Sequence, residues 1–216
     1  LYVSENGLLW MTDAGAGGNS IAVIDVAKRV LAGRIDLGAN RRPHGMDVNP
    51  RTGMLVVTVE NPAGLLLVDP VAKKVTRRYD TGGKQPHMVL LDRNGRTAWV
   101  SNSGSGSVAA LDLESGKVDL LMLGENTQGG VATRDGKRIY LAVMGTHEIV
   151  EIDTATRKVT GRIATGKGPA RLALSPDEKT LVYNIQLEPS IGFADVATRR
   201  QTARVDLIGR PLSLTL

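Results

Sequence analysis

One aspartate, closing an apolar run five times at nearly constant spacing, restricts this chain more than any other feature. The runs are IAVID to Asp25, LLLVD to Asp69, VAALD to Asp112, IVEID to Asp153 and IGFAD to Asp195, and successive spacings are 44, 43, 41 and 42 residues. A period of this length marks a repeated supersecondary unit whose faces are buried by its neighbours.

Each unit runs in the same order. Gly, usually with Pro, precedes a short apolar run, as in QPHMVLLDRNG at 85–95 and GPARLALSPDE at 168–178. A polar turn follows, ending in Thr52-Gly53, Asn94-Gly95 or Asp135-Gly136, where Gly accepts the positive φ of a tight hairpin. A second strand comes next (TAWVSN at 97–102, RIYLAV at 138–143), then a loop of small residues and a third strand ending in the Asp. A turn such as ESGK (114–117) leads to a more polar fourth strand such as KVTGRIATG (158–166). The runs are four to six residues long and rich in β-branched residues, and none has helical length or period. Four short strands in about 40–45 residues is the arithmetic of a β-propeller blade. A helical solenoid is excluded, and a sandwich would not predict a fixed period. The fold class is therefore all-β: a propeller of four-stranded antiparallel blades, forming one domain over residues 1–216.

Composition narrows the function. With no Cys in 216 residues there is neither a disulfide framework nor a thiol nucleophile. Only 3% of the residues are aromatic, too few for a base-stacking platform, so no nucleic-acid partner is expected. No apolar run approaches the roughly 18 residues of a membrane helix, so no membrane span is expected. The net charge of +5 is scattered along the chain.

WVSN (99–102) with GSGSVAALDLESGKV, and IYLAV (139–143) with EIVEIDTATRKVTGRIATGKGPARLALSPDEK, resemble the YVTN-type β-propeller repeat, a family that includes surface-layer-type propellers. The resemblance covers all five units, closest in the third and fourth. The first unit, LLWMTDAGAGGNSIAVID, is also similar to streptogramin-lyase and NHL-type blades. These resemblances imply a periplasmic or extracellular microbial protein and leave the activity open. Since no Ser/His/Asp order or paired-carboxylate spacing stands out in the sequence, a binding or interaction propeller is expected. The resemblances also imply two alternatives: a lyase whose general base would be His44 or His87, and a haem d1- or redox-associated propeller. No cofactor is specified by the residues themselves.

Leu1–Ser4 lies where a first, innermost strand belongs, and Leu212–Leu216 after Pro211 matches Leu172–Leu174 after Pro169. Five blades plus one strand fit a piece of a six- to eight-bladed ring, seven being usual in the family. A closed five-bladed ring with a redundant strand is the alternative. A chain that begins inside a strand is expected to have a preceding segment.

His44 and His87 each follow the Pro that opens a first strand, and Gln128, Ala170 and Leu212 stand at the equivalent positions. His147 follows the loop between second and third strands of the fourth unit, on the same expected face. Three imidazoles suggest a metal, but no carboxylate stands at ligand spacing, and no metal site is assigned. Arg41, Arg42, Lys84, Lys167 and Arg210 precede the strand-opening Pro, and Arg171 follows it. Together these residues predict a binding face for an anionic small molecule or an acidic protein surface, against the plainer reading of solvated loop cations. AGAGGNS (14–20) and NSGSGS (102–107) match no phosphate-binding fingerprint and read as loops. Asp13, Glu60 and Asn102 end second strands at positions taken as equivalent. The five repeated aspartates read as structural acceptors for backbone N–H groups of the following turn.

Overall fold

The computed structural model describes residues 2–3, 7–15 and 17–214. They form two compact units, the first comprising Leu1–Val100 with Leu111–Val118, the second Ser101–Ala110 with Asp119–Leu216. Every regular element among the described residues is a strand, and the strands make five four-stranded antiparallel sheets, each in simple chain order.

The first unit holds two whole sheets. One is β1 (Tyr2–Val3), β2 (Leu8–Thr12), β3 (Ser20–Asp25) and β4 (Val30–Asp36); the other is β5 (Arg41–Val48), β6 (Leu55–Asn61), β7 (Ala63–Asp69) and β8 (Lys74–Tyr79). The third sheet, β9 (Pro86–Leu91), β10 (Thr97–Asn102), β11 (Ser107–Asp112) and β12 (Val118–Met122), contributes residues to both units. The second unit holds β13 (Thr127–Ala132), β14 (Arg138–Val143), β15 (Glu148–Asp153) and β16 (Lys158–Ala164), then β17 (Pro169–Leu174), β18 (Thr180–Ile185), β19 (Ser190–Asp195) and β20 (Arg200–Asp206). The sequence strands at 97–102 and 138–143 are β10 and β14 residue for residue. Leu1 and Ser4 lie outside the described residues, as do Thr215 and Leu216; the segment 212–214 carries no strand pairing.

Burial follows strand position. The middle strands β10, β11 and β14 are buried almost throughout, whereas β20 is exposed along its whole length. A strand covered on both faces reads as a continuous Val/Ile/Ala run, and one at the outer edge reads as polar alternation. In the first unit Trp10, Ile21, Val23, Leu55, Val57, Val59 and Leu66 share one core cluster drawn from both whole sheets. In the second, Tyr140, Ala142, Ile149, Leu172, Leu181 and Tyr183 do the same.

Two turns recur. Between first and second strands the connection is longer than a two-residue hairpin: Asp92 N donates to Thr97 O, and Gly95 N to Asp92 O. A Gly takes the positive φ in three of these turns (69° at Gly53, 67° at Gly95, 71° at Gly136), and Glu178 takes it, at 57°, between β17 and β18. Between third and fourth strands the repeated Asp does what its position predicts. Its Oδ1 accepts Lys28 N at Asp25, Val71 N and Ala72 N at Asp69, Ser115 N at Asp112, Thr156 N at Asp153 and Thr198 N at Asp195. Four residues after each Asp the chain turns left-handed, at Arg29, Lys73, Gly116, Arg157 and Arg199.

Turn hydrogen bonds hold several of these carboxyls below the usual range: those of Lys28 at Asp25, Ser115 at Asp112, and Thr156 and Thr198 at Asp153 and Asp195. A depressed folded-state pKa contributes stability above the unfolded value of about 3.9, and that contribution is lost as pH falls through the folded value. The melting temperature is therefore expected to drop as pH falls below about 4. Asp112→Asn should flatten that acid limb; an unchanged limb would remove the turn carboxyls as its cause.

Candidate functional site

Of the predicted site residues, Arg41, Arg42, His44, His87, Gln128 and Arg171 lie in the opening residues of first strands. Lys84 and Lys167 come just before β9 and β17, His147 lies between β14 and β15, and Arg210 lies past β20. A repeated polar contact fixes those strand starts. The second strand of one sheet places a hydroxyl or amide at a single level: Thr12, Thr58, Ser101 and Asn184. Thr12 Oγ1 donates to His44 O (2.8 Å), Thr58 Oγ1 to His87 O (2.9 Å), Ser101 Oγ to Gln128 O (2.6 Å) and Asn184 Nδ2 to Pro211 O (3.1 Å). Three of the carbonyls reached belong to the first strand of the following repeat, β5, β9 or β13, and the fourth, Pro211 O, lies past β20 outside any strand; β5, β13 and β17 each carry a bulge near this level. Sequence reasoning missed this level because one polar residue in an apolar strand reads as an interruption, and its partner is backbone some 30 residues away.

In the first unit, His44 and His87 come together. Their ring centroids are 3.8 Å apart with planes tilted by 33°, and both rings are half-buried. Gly45 permits the approach: a Cβ there would stand 2.7 Å from His87 O and 2.7 Å from Met88 Cα. Arg42, left-handed at φ 55°, pairs with Glu60 at 3.3 Å, and Arg41 Nη1 donates to Gly17 O (3.1 Å). Lys84 is exposed. The register corrects one equivalence: Val59, not Glu60, stands level with Asp13 and Asn102, because Glu60 lies two residues past Thr58 and pairs with Ala63. That displacement carries Glu60 to Arg42. Asp47 on β5 was not anticipated. Its Oδ1 accepts Val48 N and its Oδ2 accepts Leu91 N, both at 2.8 Å, and burial pushes the carboxyl up despite those bonds.

In the second unit, Gln128 and Arg171 come together. Arg171 Nη1 donates to Gln128 Oε1 and to Ala170 O, both at 3.2 Å. Gln128 is buried, and its Nε2 donates to Asn126 Oδ1 (2.5 Å). The level occupied by Thr58 and Ser101 is Ala142 in the fourth sheet, which has no donor, and the Arg171 side chain supplies one to Ala170 O instead. Arg171 N is itself held by Asn184 Oδ1 (2.7 Å). Burial pushes the guanidinium's pKa down. No carboxylate meets Arg171 among the described residues. His147 sits in the β14–β15 loop at φ 59°, its Nδ1 2.8 Å from Met144 O. Lys167 is exposed, with its backbone N on Glu188, and Arg210 Nη2 donates to Gln186 Oε1 (2.7 Å).

No family model matches the sequence, and no curated protein matches it. Solved structures do. The selenomethionine-substituted virginiamycin B lyase of Staphylococcus aureus superposes with a TM-score of 0.80 at 17% identity, covering 96% of this chain and 69% of that one. A catalytically inactive variant of the same lyase, with quinupristin, gives 0.76 at 18% identity over 90% of this chain and 65% of that one. Hydrazine synthase of Kuenenia stuttgartiensis gives 0.70 at 26% identity, covering 75% of this chain. The fold is that of a β-propeller. The chain spans about half the length of the hydrazine synthase chain (48%), and the lyase likeness at this identity carries architecture alone.

Among the described residues no helix is long and apolar enough to cross a membrane, and no three metal-ligating side chains gather.

Proposed function

We propose that residues 1–216 form a single binding propeller of the YVTN-repeat kind, extracytoplasmic, that takes an anionic ligand at the starts of its first strands. The ligand class is a small anion or an acidic protein surface. The carrying observation is Arg171, a half-buried cation that no carboxylate meets among the described residues. A guanidinium stays charged when desolvated, so an unpaired one raises the energy of the empty site and an arriving anion lowers it. Arg41, Arg42, His44, Lys84 and His87 stand at or just before the starts of β5 and β9 in the first unit; in the second, Lys167 precedes β17, Arg210 follows β20 and His147 lies between β14 and β15. Of these, Arg42 is already partly neutralised by Glu60, so its share is small.

Calorimetric titration with citrate and with an oligoglutamate peptide tests this reading. At least one is expected to bind, more weakly at 0.3 M than at 0.05 M salt because the Debye length shortens to about 6 Å. Arg171→Gln should weaken binding about tenfold. Arg42→Ala with Lys84→Ala should weaken it less, and Lys117→Ala with Lys158→Ala not at all. Salt-indifferent binding, or equal losses from all three variants, would leave only a generic basic surface.

A further inference from the structure

Resting on that reading, the geometry points to a first-unit site that takes its anion together with one proton, the proton being held by His44 and His87 as a pair. Three observations carry it.

The first is contact. The two ring centroids stand 3.8 Å apart with planes tilted by 33°, and both rings are half-buried. Imidazoles this close titrate as one unit: a cationic ring is tolerated beside a neutral one, whereas two cationic rings repel. The pair therefore accepts one proton and resists a second.

The second is that the strands carrying the rings are tied together. Thr58 Oγ1 accepts Gly45 N (2.7 Å) and donates to His87 O (2.9 Å). Further along, Asp47 Oδ2 on β5 accepts Leu91 N on β9 (2.8 Å). With β5 and β9 joined at both levels, the pair cannot relieve a second charge by parting its strands.

The third is the charge around the pair. From the elements packed on it come Arg41 and Arg42 on β5, Lys84 before β9, Glu60 on β6 and Asp13 just past β2. Glu60 is already paired with Arg42 at 3.3 Å. Asp47 lies three residues past His44, and its two oxygens take Val48 N and Leu91 N. At the His44 end, cations thus outnumber carboxylates. A proton on the empty pair adds to that surplus, and an arriving anion removes the opposition. Anion and proton then favour each other by the same factor, so binding strengthens as pH falls through the imidazole range around about 6.5.

Calorimetric titration of the full chain with sulfate, which keeps its charge between about pH 5.5 and 8.5, tests the assignment. Sulfate affinity is expected to fall about tenfold from the lower pH to the higher, the worth of one charge-assisted hydrogen bond. His44→Gln and His87→Gln each leave one ring to take the proton, so each should keep about that tenfold dependence, and the double variant should lose it. Gln128 already fills the equivalent position on β13, so the fold accepts the replacement. Rings that titrate independently would instead give about a hundredfold dependence in the parent and tenfold in each single variant. That additive result overturns the inference. So does sulfate affinity equal at both pH values, a pH dependence that survives in the double variant, or sulfate that does not bind at all. Each leaves the general anion reading intact, since that reading is tested on other ligands; it fails when Arg171→Gln binds citrate and oligoglutamate as the parent does.

Discussion

Arg199→Ala is expected to lower stability by about 2–3 kcal/mol at pH 7, and by much less near pH 4. Glu151 sits on the third strand of its sheet with its side chain 3% exposed. Arg199 Nη2 donates to Oε1 at 3.0 Å, Thr160 Oγ1 to Oε1 at 2.7 Å and Tyr140 OH to Oε2 at 3.1 Å. Burial alone would push this carboxyl up, but the Arg199 guanidinium with the Thr160 and Tyr140 hydroxyls holds it below the usual range. Removing one partner of a buried pair costs about 3–5 kcal/mol, and the exposure of the Arg199 side chain, 41%, brings the cost to or just below the bottom of that range. With its pKa lowered, Glu151 contributes stability above an unfolded value of about 4.3, lost as pH falls through the folded value. Without Arg199 the sign reverses: burial raises the carboxyl, the variant is least stable relative to the parent at neutral pH, and the deficit shrinks on acidification. Urea denaturation at pH 7 and pH 4 measures both, and adding Glu151→Gln should recover part of the loss. A deficit independent of pH would mean that Arg199 acts through packing alone.

That ion pair also shows where the sequence was legible and where it was not. The period between Asp25 and Asp195 gave five sheets because every unit must bury two faces, and burial writes itself as apolar runs. The aspartates were readable for a similar reason: their partners, such as Ser115 N and Thr156 N, lie two or three residues away. The residue four past each Asp was not readable. A left-handed position normally shows itself as Gly, as at Gly116, yet Arg29, Lys73, Arg157 and Arg199 stand there instead. In the second unit the reason is tertiary: Arg157 pairs with Asp119, and Arg199 lies across Gly161, where a Cβ would meet its Nε at 2.3 Å, to reach Glu151. A side chain that crosses to the preceding repeat outweighs a backbone preference of about 1 kcal/mol. The site residues divide in the same way. Their placement at strand starts followed from Pro43, Pro86 and Pro169, but charge alone could not tell Arg42, which has Glu60, from Arg171, which has Gln128.

The backbone approach between β5 and β9 sets the last expectation: Gly45→Ala should cost about 3 kcal/mol, three times as much as Gly53→Ala. The two glycines separate two causes. Gly53 has a φ of 69° and open space around an added Cβ, so its substitution costs only the left-handed conformation, about 1 kcal/mol. Gly45 needs no special φ, but its Cβ would stand 2.7 Å from His87 O, 2.7 Å from Met88 Cα and 2.9 Å from Val89 N. All three are backbone atoms that no rotamer change can move, so β5 and β9 must separate or the bulge at Pro43–Met46 must reshape. Overpacking of this kind costs about 1–3 kcal/mol, and here it also disturbs two bonds at one carbonyl level, Gly45 N to Thr58 Oγ1 (2.7 Å) and Thr58 Oγ1 to His87 O (2.9 Å). The imidazoles report the same event. His44 and His87 touch because their strands do, so Gly45→Ala should shift the ring resonances of both histidines and leave His147, in the other unit, unchanged. A Gly45→Ala variant as stable as Gly53→Ala, with both ring signals in place, would show that β5 and β9 tolerate a methyl group between them and that the close approach does not hold the histidine pair together.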